Sequence, residues 1–279
     1  MKSTARLREL LAQDKLLVAP FIYDAFSAKV AQHVGLPIGY MRGFGTAMTL
    51  GYPDVGLTTL SEMVDNARRV ASSVDIPIIA DADTGYGNAI NVRRTVQEYE
   101  RAGVAGIHIE DQTFPKKCGF FKGKQVIPME EHVAKIRAAV DSRSDPDFLI
   151  IARCDALVVN GWEDTARRCR AYIDAGAEMV FVDGIKNVES ITKYAEELSD
   201  IPRLYNGDLA STQHVENLGF KIMIHRGSML SVHKALYEVM SQLHTYGVTD
   251  SSLYSTREEV AGLLGLDEIY RMETEYAVP

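Results

Sequence analysis

The chain has 279 residues, of which 46% are hydrophobic and 24% are charged, a composition typical of a globular protein that can bury a sizeable core. The net charge of −8 and the lack of a basic stripe argue against nucleic acid as the main partner. The sequence contains no run of about 18 apolar residues, so we expect no transmembrane helix and no membrane partner. The polar N-terminal stretch 1–15 predicts a short amphipathic helix and not a signal peptide.

Short apolar runs recur along the chain, and each is followed by a polar tip and then by a helical pattern. Runs of this length that are bounded by turn residues are typical of buried parallel strands. The eight strand candidates are 16–23, 39–45, 76–83, 106–111, 148–155, 179–184, 202–208 and 221–227. Eight strand–helix units in a chain of this length predict an α/β protein with a (β/α)8 TIM barrel. A doubly wound sheet is the alternative, but no Gly-rich dinucleotide turn follows the first strand.

Helical patterns lie between the strand candidates. The stretch 58–74 opens with Thr and Ser residues that can cap a helix, and it carries apolar residues at steps of three and four. Gly103 and Gly176 follow two further patterns, where they can end the helices. Pro128 stands at the first helical position of another pattern.

No linker or low-complexity tract interrupts the chain, so we expect a single domain over residues 1–279. Its last part, 246–279, predicts a helical C-terminal arm that is more amphipathic than a barrel needs. An arm packed on a neighbouring subunit and a helix lying back on its own barrel both fit this pattern.

The three cysteines of the chain are Cys118, Cys154 and Cys169. An odd and scattered set indicates a reducing compartment without a disulfide framework, and we therefore expect a cytoplasmic protein. The spacing also lacks the close Cys/His pattern of a zinc site.

Polar and charged residues cluster where the strand candidates end, which is where barrels of this kind carry their active sites. They are Asp24, Arg42, Asp81, Asp83, Glu110, Asp111, Arg153, Asp155, Asp183, Asn206, His225 and Arg226. Asp81 and Asp83 are the most informative pair, because alternate residues of a strand face the same way. Two converging carboxylates need a cation, a proton or an arginine between them, and Glu110 can add a third oxygen. Hard oxygen ligands suit Mg²⁺ or Mn²⁺; ion pairs with the two arginines, or helix caps, are the alternative.

Two other features can contact a ligand. The loop 84–88 contains two glycines, which allow a tight turn and a close approach of the backbone. Arg153 ends an apolar strand candidate, and a planar guanidinium there can hold a substrate carboxylate through two hydrogen bonds. An ion pair of Arg153 with Asp155 or Glu110 is the alternative.

Cys118 lies in the long segment 112–127, and connections of this length are often lids over a site. Lys116 and Lys117 would favour its thiolate form by their positive charge. A loop cysteine without a chemical role is the alternative.

Four segments, DADTGYGN, GIHIEDQ, KKCG and IARCDAL, occur in this order and spacing, and together they resemble the isocitrate lyase/phosphoenolpyruvate mutase superfamily. The KKCG segment resembles its lyase branch, which includes 2-methylisocitrate lyase, dimethylmalate lyase and oxaloacetate acetylhydrolase. The similarity extends from about Leu16 to about Ala235. It implies a barrel that forms a homotetramer, a dimer of dimers, with a C-terminal helix swapped between paired subunits.

The resemblance also implies a metal site. Mg²⁺, or Mn²⁺, is expected at Asp83, with Asp81 and Glu110 acting directly or through water. Asp54 matches an active-site acid near the metal.

Further matches concern the substrate and the proton transfers. Arg153 matches the arginine that binds the carboxylate of a 2-oxo acid, and Asn206 matches a substrate-contacting position. Lys116 and Cys118 match a mobile catalytic loop. With Glu110 and Arg153, they form the expected catalytic set.

The implied reaction is a Mg²⁺-dependent cleavage of a carbon–carbon bond in a small 2-hydroxy di- or tricarboxylate of the 2-methylisocitrate or malate-derivative type. A base removes the proton of the 2-hydroxyl, the bond breaks to leave a 2-oxo acid, and the other fragment leaves as an enediolate. The metal and Arg153 stabilise the negative charge, and Cys118 protonates the enediolate carbon. Closure of the loop keeps water away from the reactive fragment.

Three places depart from the lyase pattern and point to a substrate other than isocitrate or methylisocitrate. Phe120 stands where histidine usually follows KKCG, Arg42-Gly43-Phe44 stands where a Ser-Gly pair is usual, and Asp183 replaces a glutamate. Arg42 adds a fixed positive charge that can bind an extra acidic group or be neutralised by a nearby acid. We expect these five residues to contact the substrate.

Other functions remain open at this stage. An oxaloacetate-type hydrolase or decarboxylase, or a phosphonopyruvate-related enzyme, would use the same kind of barrel. The phosphonate branch usually lacks the loop cysteine, so Cys118 argues against it. A barrel that has lost catalysis and only binds a metabolite is disfavoured by the intact set of candidate residues.

Overall fold

A computed structural model of the protein describes residues 1–119 and 121–277, and eight parallel strands close into a barrel. The strands are β1 Leu17–Ile22, β2 Gly39–Met41, β3 Ile78–Asp81, β4 Gly106–Glu110, β5 Leu149–Cys154, β6 Met179–Val182, β7 Arg203–Asn206 and β8 Ile222–His225. Each strand pairs with the next along the chain, and β8 pairs with β1. The predicted (β/α)8 barrel is confirmed. The predicted substrate residue Phe120 and the end of the predicted arm, 278–279, lie outside the described residues.

Helices surround the barrel and extend beyond it. They are α1 Ser3–Leu11, α2 Ala25–His33, α3 Gly43–Thr49, α4 Leu60–Ser72, α5 Ala89–Ala102, α6 Met129–Ser142, α7 Leu157–Asn160, α8 Trp162–Asp174, α9 Val188–Glu197, α10 Thr212–Asn217, α11 Gly227–Tyr246, α12 Arg257–Leu263 and α13 Leu266–Glu275. The predicted cap of α4 is present, because Thr59 and Glu62 form a capping box, and Gly103 ends α5 in the left-handed conformation. Within the described ranges, no helix is long and apolar enough to cross a membrane.

The sequence prediction was wrong about the second strand. It extended that strand over 39–45, whereas β2 ends at Met41 and α3 begins at Gly43. The Gly43 amide donates a hydrogen bond to Asp81 Oδ2 at 3.0 Å, and this contact turns the chain across the end of the barrel. Pro128 differs by one position from its prediction, since it precedes the first residue of α6.

Strand alternation creates two apolar layers. On β5, Ile150 and Ala152 pack outward against the helices, whereas Leu149 and Ile151 fill the barrel. Leu7 and Leu10 of α1 join the inner layer. Polar side chains therefore reach the barrel interior mainly toward the C-terminal ends of the strands.

Helix α11 extends away from the barrel surface, and the chain returns to it where α12 contacts α2. Met229, in the first turn of α11, is buried, whereas Leu236, Met240 and Leu243 further along that helix are more than half exposed. The segment after Tyr246 contains α12 and α13, which confirms the prediction of helices there.

His132 of α6 is a fully buried imidazole. Its ring meets Tyr172 edge-on at a centroid distance of 4.5 Å, and neither ring nitrogen hydrogen bonds to another described residue. Burial lowers the pKa of His132 to about 3, because water no longer stabilises the charged form.

This burial predicts a stability that depends on pH. An unfolded histidine titrates near pH 6.5, so below that pH the unfolded chain binds one proton more at this position, and stability falls as the pH falls toward 3. The contribution approaches about 1.4 kcal/mol per pH unit. The His132→Leu variant is expected to lose this part of the slope when the free energy of unfolding is measured with denaturant between pH 7 and pH 4.

His33 is exposed, so His33→Gln is the control and should keep the wild-type slope. All measurements use one protein concentration, because self-association would shift the apparent stability. Equal slopes in His132→Leu and wild type would contradict the prediction.

Candidate active site

Ten charged side chains meet at the C-terminal mouth of the barrel, and all of them are buried. The carboxylates are Asp54, Asp81, Asp83, Glu110, Asp155 and Asp183, and the cations are Arg42, Lys116, Lys124 and Arg153. At full ionisation these six acids and four cations leave two negative charges uncompensated. A buried charge is stable only when it is paired, neutralised or bound to a metal, so an excess of carboxylates over cations at this mouth favours protonation of an acid or binding of a cation.

Asp81 and Asp83 converge, although not for the reason that the sequence pattern indicates. Asp81 is the last residue of β3, and Asp83 lies beyond the strand in the left-handed conformation, at φ 45°. Strand alternation therefore does not extend to Asp83. A Cβ atom at Gly43 would lie 3.0 Å from Asp81 Oδ2 and 3.1 Å from Asp83 Oδ1, so both carboxylates crowd the same point and only glycine fits there without a shift.

Lys116 brings the segment between β4 and α6 to these acids. Its Nζ lies 2.5 Å from Asp54 Oδ1 and 2.7 Å from Asp83 Oδ1. Burial acts to lower the pKa of Lys116, but Asp83 and Glu110 hold it well above the usual value. The Cys118 amide donates to the Asp54 carbonyl at 3.0 Å, so Asp54 contacts both loop residues of the predicted catalytic set.

Arg153 forms ion pairs with Asp155 and Glu110, which the sequence left open as the alternative to substrate binding. Its Nε and Nη2 donate to Asp155 at 2.8 and 3.0 Å, and Nη1 lies 3.1 Å from Glu110 Oε2. The guanidinium also lies 5.0 Å from the centre of the Phe181 ring. Burial acts to lower the pKa of Arg153, but Asp155 and Glu110 raise it, so the group stays charged.

Three carboxylate oxygens at the mouth accept no well-aligned hydrogen bond, although Lys116 and Arg153 lie nearby. These oxygens are Asp83 Oδ1, Glu110 Oε1 and Glu110 Oε2. Burial raises the pKa of Asp83 to about 6 and raises that of Glu110 well above its usual value. For Asp81, burial acts to raise the pKa, but His108 and Lys116 hold it below the usual range.

These oxygens fit a hard divalent cation. In the described part of the chain, no three His, Cys, Asp or Glu side chains are grouped closely enough to hold an ion by themselves. Mg²⁺ usually binds through one or two carboxylates and keeps several waters. Asp83, with Asp81 and Glu110 close by, is therefore compatible with the predicted site.

His108 was missed by the sequence analysis. It lies on β4 two residues before Glu110, and its Nε2 is 3.5 Å from Asp81 Oδ1. Tyr40 on β2 hydrogen bonds to the same nitrogen. Burial lowers the pKa of His108 to about 4, so the ring is neutral where it contacts Asp81 from the side of the barrel interior. The two-residue alternation with Glu110 was a signal that could have found it.

Cys118 is buried beside Arg42. Arg42 Nη2 lies 3.7 Å from Cys118 Sγ, and the Arg42 guanidinium lies over Phe21 and Phe44, at 4.7 and 5.9 Å from their ring centres. These four side chains line a cavity of about 200 Å³ that Met229 and Leu230 also border. A fixed positive charge and a thiol thus share a mostly apolar pocket.

Lys124 was also missed, and its sequence context carries no signal that distinguishes it from an exposed loop lysine. Its Nζ lies 2.7 Å from Asp155 Oδ1 and 2.7 Å from Asp183 Oδ2. Gln112 donates to Asp155 at 3.2 Å and exchanges two hydrogen bonds with the Lys117 backbone. The segment that carries Cys118 is therefore held at both ends by buried polar contacts.

Asn206 lies at the end of β7 and borders a larger cavity of about 670 Å³, together with Gly119 and Asp183. Its Oδ1 accepts no hydrogen bond from a described residue. The position is thus close to the loop and to Asp183, as a substrate-contacting residue would require.

Of the other strand-end residues, Asp24 and Asp111 stabilise the fold, whereas Arg226 also borders both cavities of the site. Asp24 caps α2 through the Ser27 amide at 2.7 Å. Asp111 accepts hydrogen bonds from Tyr172 and Arg168 at 2.7 and 3.2 Å. At the end of β8, Arg226 pairs with Asp208 at 2.6 Å, while His225 is exposed.

Comparison with known proteins decides the family. A family model described as phosphoenolpyruvate phosphomutase matches residues 7–244. The chain belongs to the phosphoenolpyruvate mutase/isocitrate lyase superfamily. Within this superfamily, the chain is 41% identical to 2,3-dimethylmalate lyase of Eubacterium barkeri, over 99% of each chain.

Solved structures of superfamily members agree with this assignment. The structure of oxaloacetate acetylhydrolase in complex with the inhibitor 3,3-difluorooxalacetate matches with a TM-score of 0.93 and 36% identity, over 98% of this chain and 97% of that one. The complex of phosphonopyruvate hydrolase with oxalate and Mg²⁺ matches with a TM-score of 0.90 and 28% identity, over 99% of each chain. The predicted resemblance to the lyase branch is confirmed, and the chain is an enzyme of the carbon–carbon lyase type that acts on small carboxylates.

Gly119 predicts how tightly the Cys118 segment is seated. A Cβ atom at this position would lie 2.7 Å from Asp183 Oδ1 and closer still to Oδ2, and Asp183 cannot retreat easily because Lys124 holds it. The Gly119→Ala variant should displace the segment at a cost of about 1–3 kcal/mol. Limited trypsin digestion is expected to cleave after the lysines of the segment 116–124 about fivefold faster or more, while the thermal midpoint falls by only a few degrees.

Gly262→Ala in α12 is the control, since an added Cβ atom there meets nothing within 4 Å. It should leave cleavage of the segment at the wild-type rate. Wild-type digestion of Gly119→Ala would show that the segment does not rest on Asp183 in solution.

Proposed function

We propose that the protein is a Mg²⁺-dependent lyase that cleaves a small 2-hydroxy di- or tricarboxylate of the malate-derivative type. The products are a 2-oxo acid and a second carboxylic acid, which forms through an enediolate. The observation that carries the proposal is the meeting of Cys118, Arg153 and a buried cluster of six carboxylates at one barrel mouth.

Asp83 would hold the metal, with Asp81 and Glu110 acting directly or through water. The buried carboxylate oxygens of Asp83 and Glu110, which face the cations Lys116 and Arg153, support this assignment, as does the Mg²⁺ in the phosphonopyruvate hydrolase structure. A bound Mg²⁺ supplies stabilisation of negative charge on the oxygens of the oxo acid. Mn²⁺ has the same preference for oxygen ligands and would serve as a substitute.

Arg153 binds and orients the carboxylate of the oxo-acid half through its positive charge and through N–H groups that the substrate shares with Asp155 and Glu110. Glu110 and Asp155 hold the guanidinium in place at 3.1 and 2.8 Å. Asp54, Asp183 and Asn206 line the remaining parts of the substrate site.

The proton transfers balance within the site. One of the buried carboxylates takes the proton of the 2-hydroxyl, the carbon–carbon bond breaks, and its electron pair moves into the departing carboxylate as an enediolate. The Cys118 thiol gives its proton to the enediolate carbon, and the proton taken first restores the thiol. The segment that carries Cys118 and Lys116 excludes water from the reactive fragment.

Arg42 supports the second transfer. Its guanidinium, 3.7 Å from Cys118 Sγ, stabilises the thiolate that remains after the proton has left. Gly43 and Phe44 complete this side of the substrate pocket, where the lyase pattern has a Ser-Gly pair. Arg42 also offers a positive charge to a carboxylate on the departing fragment.

Hydrolysis of an oxaloacetate-type acid is the second candidate, because the fold matches oxaloacetate acetylhydrolase with a TM-score of 0.93. Attack of water on the 2-oxo group followed by the same bond cleavage would give oxalate. Decarboxylation of a related acid and a phosphonopyruvate reaction are weaker candidates. Cys118 argues against the phosphonopyruvate reaction, because that branch usually lacks the loop cysteine.

We also propose a cytoplasmic homotetramer, a dimer of dimers, in which the C-terminal arm is swapped between paired subunits. The exposed apolar side chains of α11, including Leu236, Met240 and Leu243, support this assembly, because large exposed apolar patches usually mark an interface. We further propose that residues 1–279 form a single domain.

A substrate screen tests the proposed reaction. Purified protein is incubated with malate derivatives, citrate-like acids, oxaloacetate and phosphonopyruvate, and the products glyoxylate, pyruvate, oxaloacetate and oxalate are measured. We expect an oxo acid from a malate derivative with Mg²⁺ or Mn²⁺, and no product in excess EDTA. If oxaloacetate is the only acid that reacts and oxalate is its product, the hydrolase is favoured. Full activity in chelator would refute the metal site.

Cys118→Ala tests the general acid. Loss of a positioned proton donor is expected to lower kcat by about 10²-fold or more, while Mg²⁺ binding measured by calorimetry stays at the wild-type value. Cys169→Ala, which removes a thiol from the buried layer between strands and helices, is the matched control and should keep its activity. Wild-type turnover by Cys118→Ala would eliminate the thiol as proton donor.

A further inference from the structure

Lys124 is a buried cation to which the proposed function gives no role. Only 8% of the residue is exposed, and its Nζ lies 2.7 Å from both Asp155 Oδ1 and Asp183 Oδ2. Burying a lysine costs its hydration, so it is stable only with close and well-formed partners. Its position between two carboxylates makes it part of the charge balance of the mouth.

The same two carboxylates contact Arg153. Asp155 accepts two hydrogen bonds from its guanidinium, at 2.8 and 3.0 Å, and Asp183 Oδ1 lies 3.6 Å from Nη2. Glu110 adds a third carboxylate, with Oε2 at 3.1 Å from Nη1. Three acids therefore surround Arg153, and Lys124 shares two of them.

This sharing affects what Arg153 can bind. A substrate carboxylate competes for the guanidinium with every carboxylate already paired to it. Without Lys124, the negative charges of Asp155 and Asp183 would act on Arg153 alone, and they would also repel an incoming anion. With Lys124 present, one further positive charge offsets the negative charges of Asp155 and Asp183.

We propose that Lys124 is a positioning residue for substrate binding, which neutralises Asp155 and Asp183 so that Arg153 can hold the carboxylate of the oxo acid. The inference rests on the proposed function, from which it takes the role of Arg153. Lys124 belongs to the same segment as Cys118, so the seated segment brings in both the thiol and the charge that Arg153 requires.

Oxalate is the probe, because it is bound in solved structures of oxaloacetate acetylhydrolase and phosphonopyruvate hydrolase. Its dissociation constant is measured by calorimetry in saturating Mg²⁺. We expect Lys124→Met to weaken oxalate binding by about 10-fold to 100-fold, the range for loss of a charged hydrogen-bonding partner. KM for the cleaved substrate should rise by a similar factor, with kcat lowered by less than about threefold.

Two variants sharpen this test. Lys15→Met removes an exposed lysine that lies just before β1, at the opposite end of the barrel, and should bind oxalate like the wild type. Lys124→Arg keeps the positive charge and should bind oxalate more tightly than Lys124→Met. An unchanged oxalate affinity in Lys124→Met with a lowered kcat would overturn the inference, since it would assign Lys124 to seating the loop only.

A double variant covers the case in which Lys124→Met does not fold. Lys124→Met/Asp183→Asn removes one charge of each sign, and we expect it to bind oxalate about threefold or more weakly than Asp183→Asn alone. Equal affinities of these two proteins would overturn the inference. Oxalate binding needs no turnover, so a wild type that binds oxalate and cleaves none of the malate derivatives would refute only the proposed reaction; the Lys124 variants would still decide this point.

Discussion

The excess of buried negative charge at the barrel mouth is the constraint on which the rest of the structure depends. Six carboxylates and four cations lie there with almost no exposed surface, and an unpaired buried charge costs several kcal/mol. Two of the four cations, Lys116 and Lys124, come from one segment that lies between β4 and α6. The charge balance of the site therefore depends on where that segment rests.

The barrel keeps this costly arrangement at one end. Its interior is filled by apolar side chains such as Ile151 and Phe181, and α1 adds Leu7 and Leu10 to the same layer. Tyr40 and His108 form the boundary, because they lie between the apolar interior and Asp81. Below them the inner layer is apolar, and above them lie the buried carboxylates and cations of the mouth.

The departures from the lyase pattern lie beside the proposed proton donor. Arg42 packs over two aromatic rings and approaches the Cys118 thiol, so a cation takes part where the pattern has a small hydroxyl. Asp183 is bound by Lys124 and leaves no room for a side chain at Gly119. These contacts place a positive charge beside the Cys118 thiol and pack Gly119 tightly against Asp183.

The sequence by itself determined the barrel, because eight short apolar runs separated by helical patterns allow few other architectures, and it identified Asp81, Asp83, Glu110 and Arg153 because they stand at the strand ends. The sequence also indicated the segment that carries Cys118, because KKCG is one of the four segments that resemble the superfamily. Only the tertiary structure decided that α3 begins directly after β2, since the Gly43–Asp81 contact joins residues far apart in sequence. Lys124 could not be distinguished from an exposed lysine for the same reason: its charge acquires a role only where folding places it between Asp155 and Asp183.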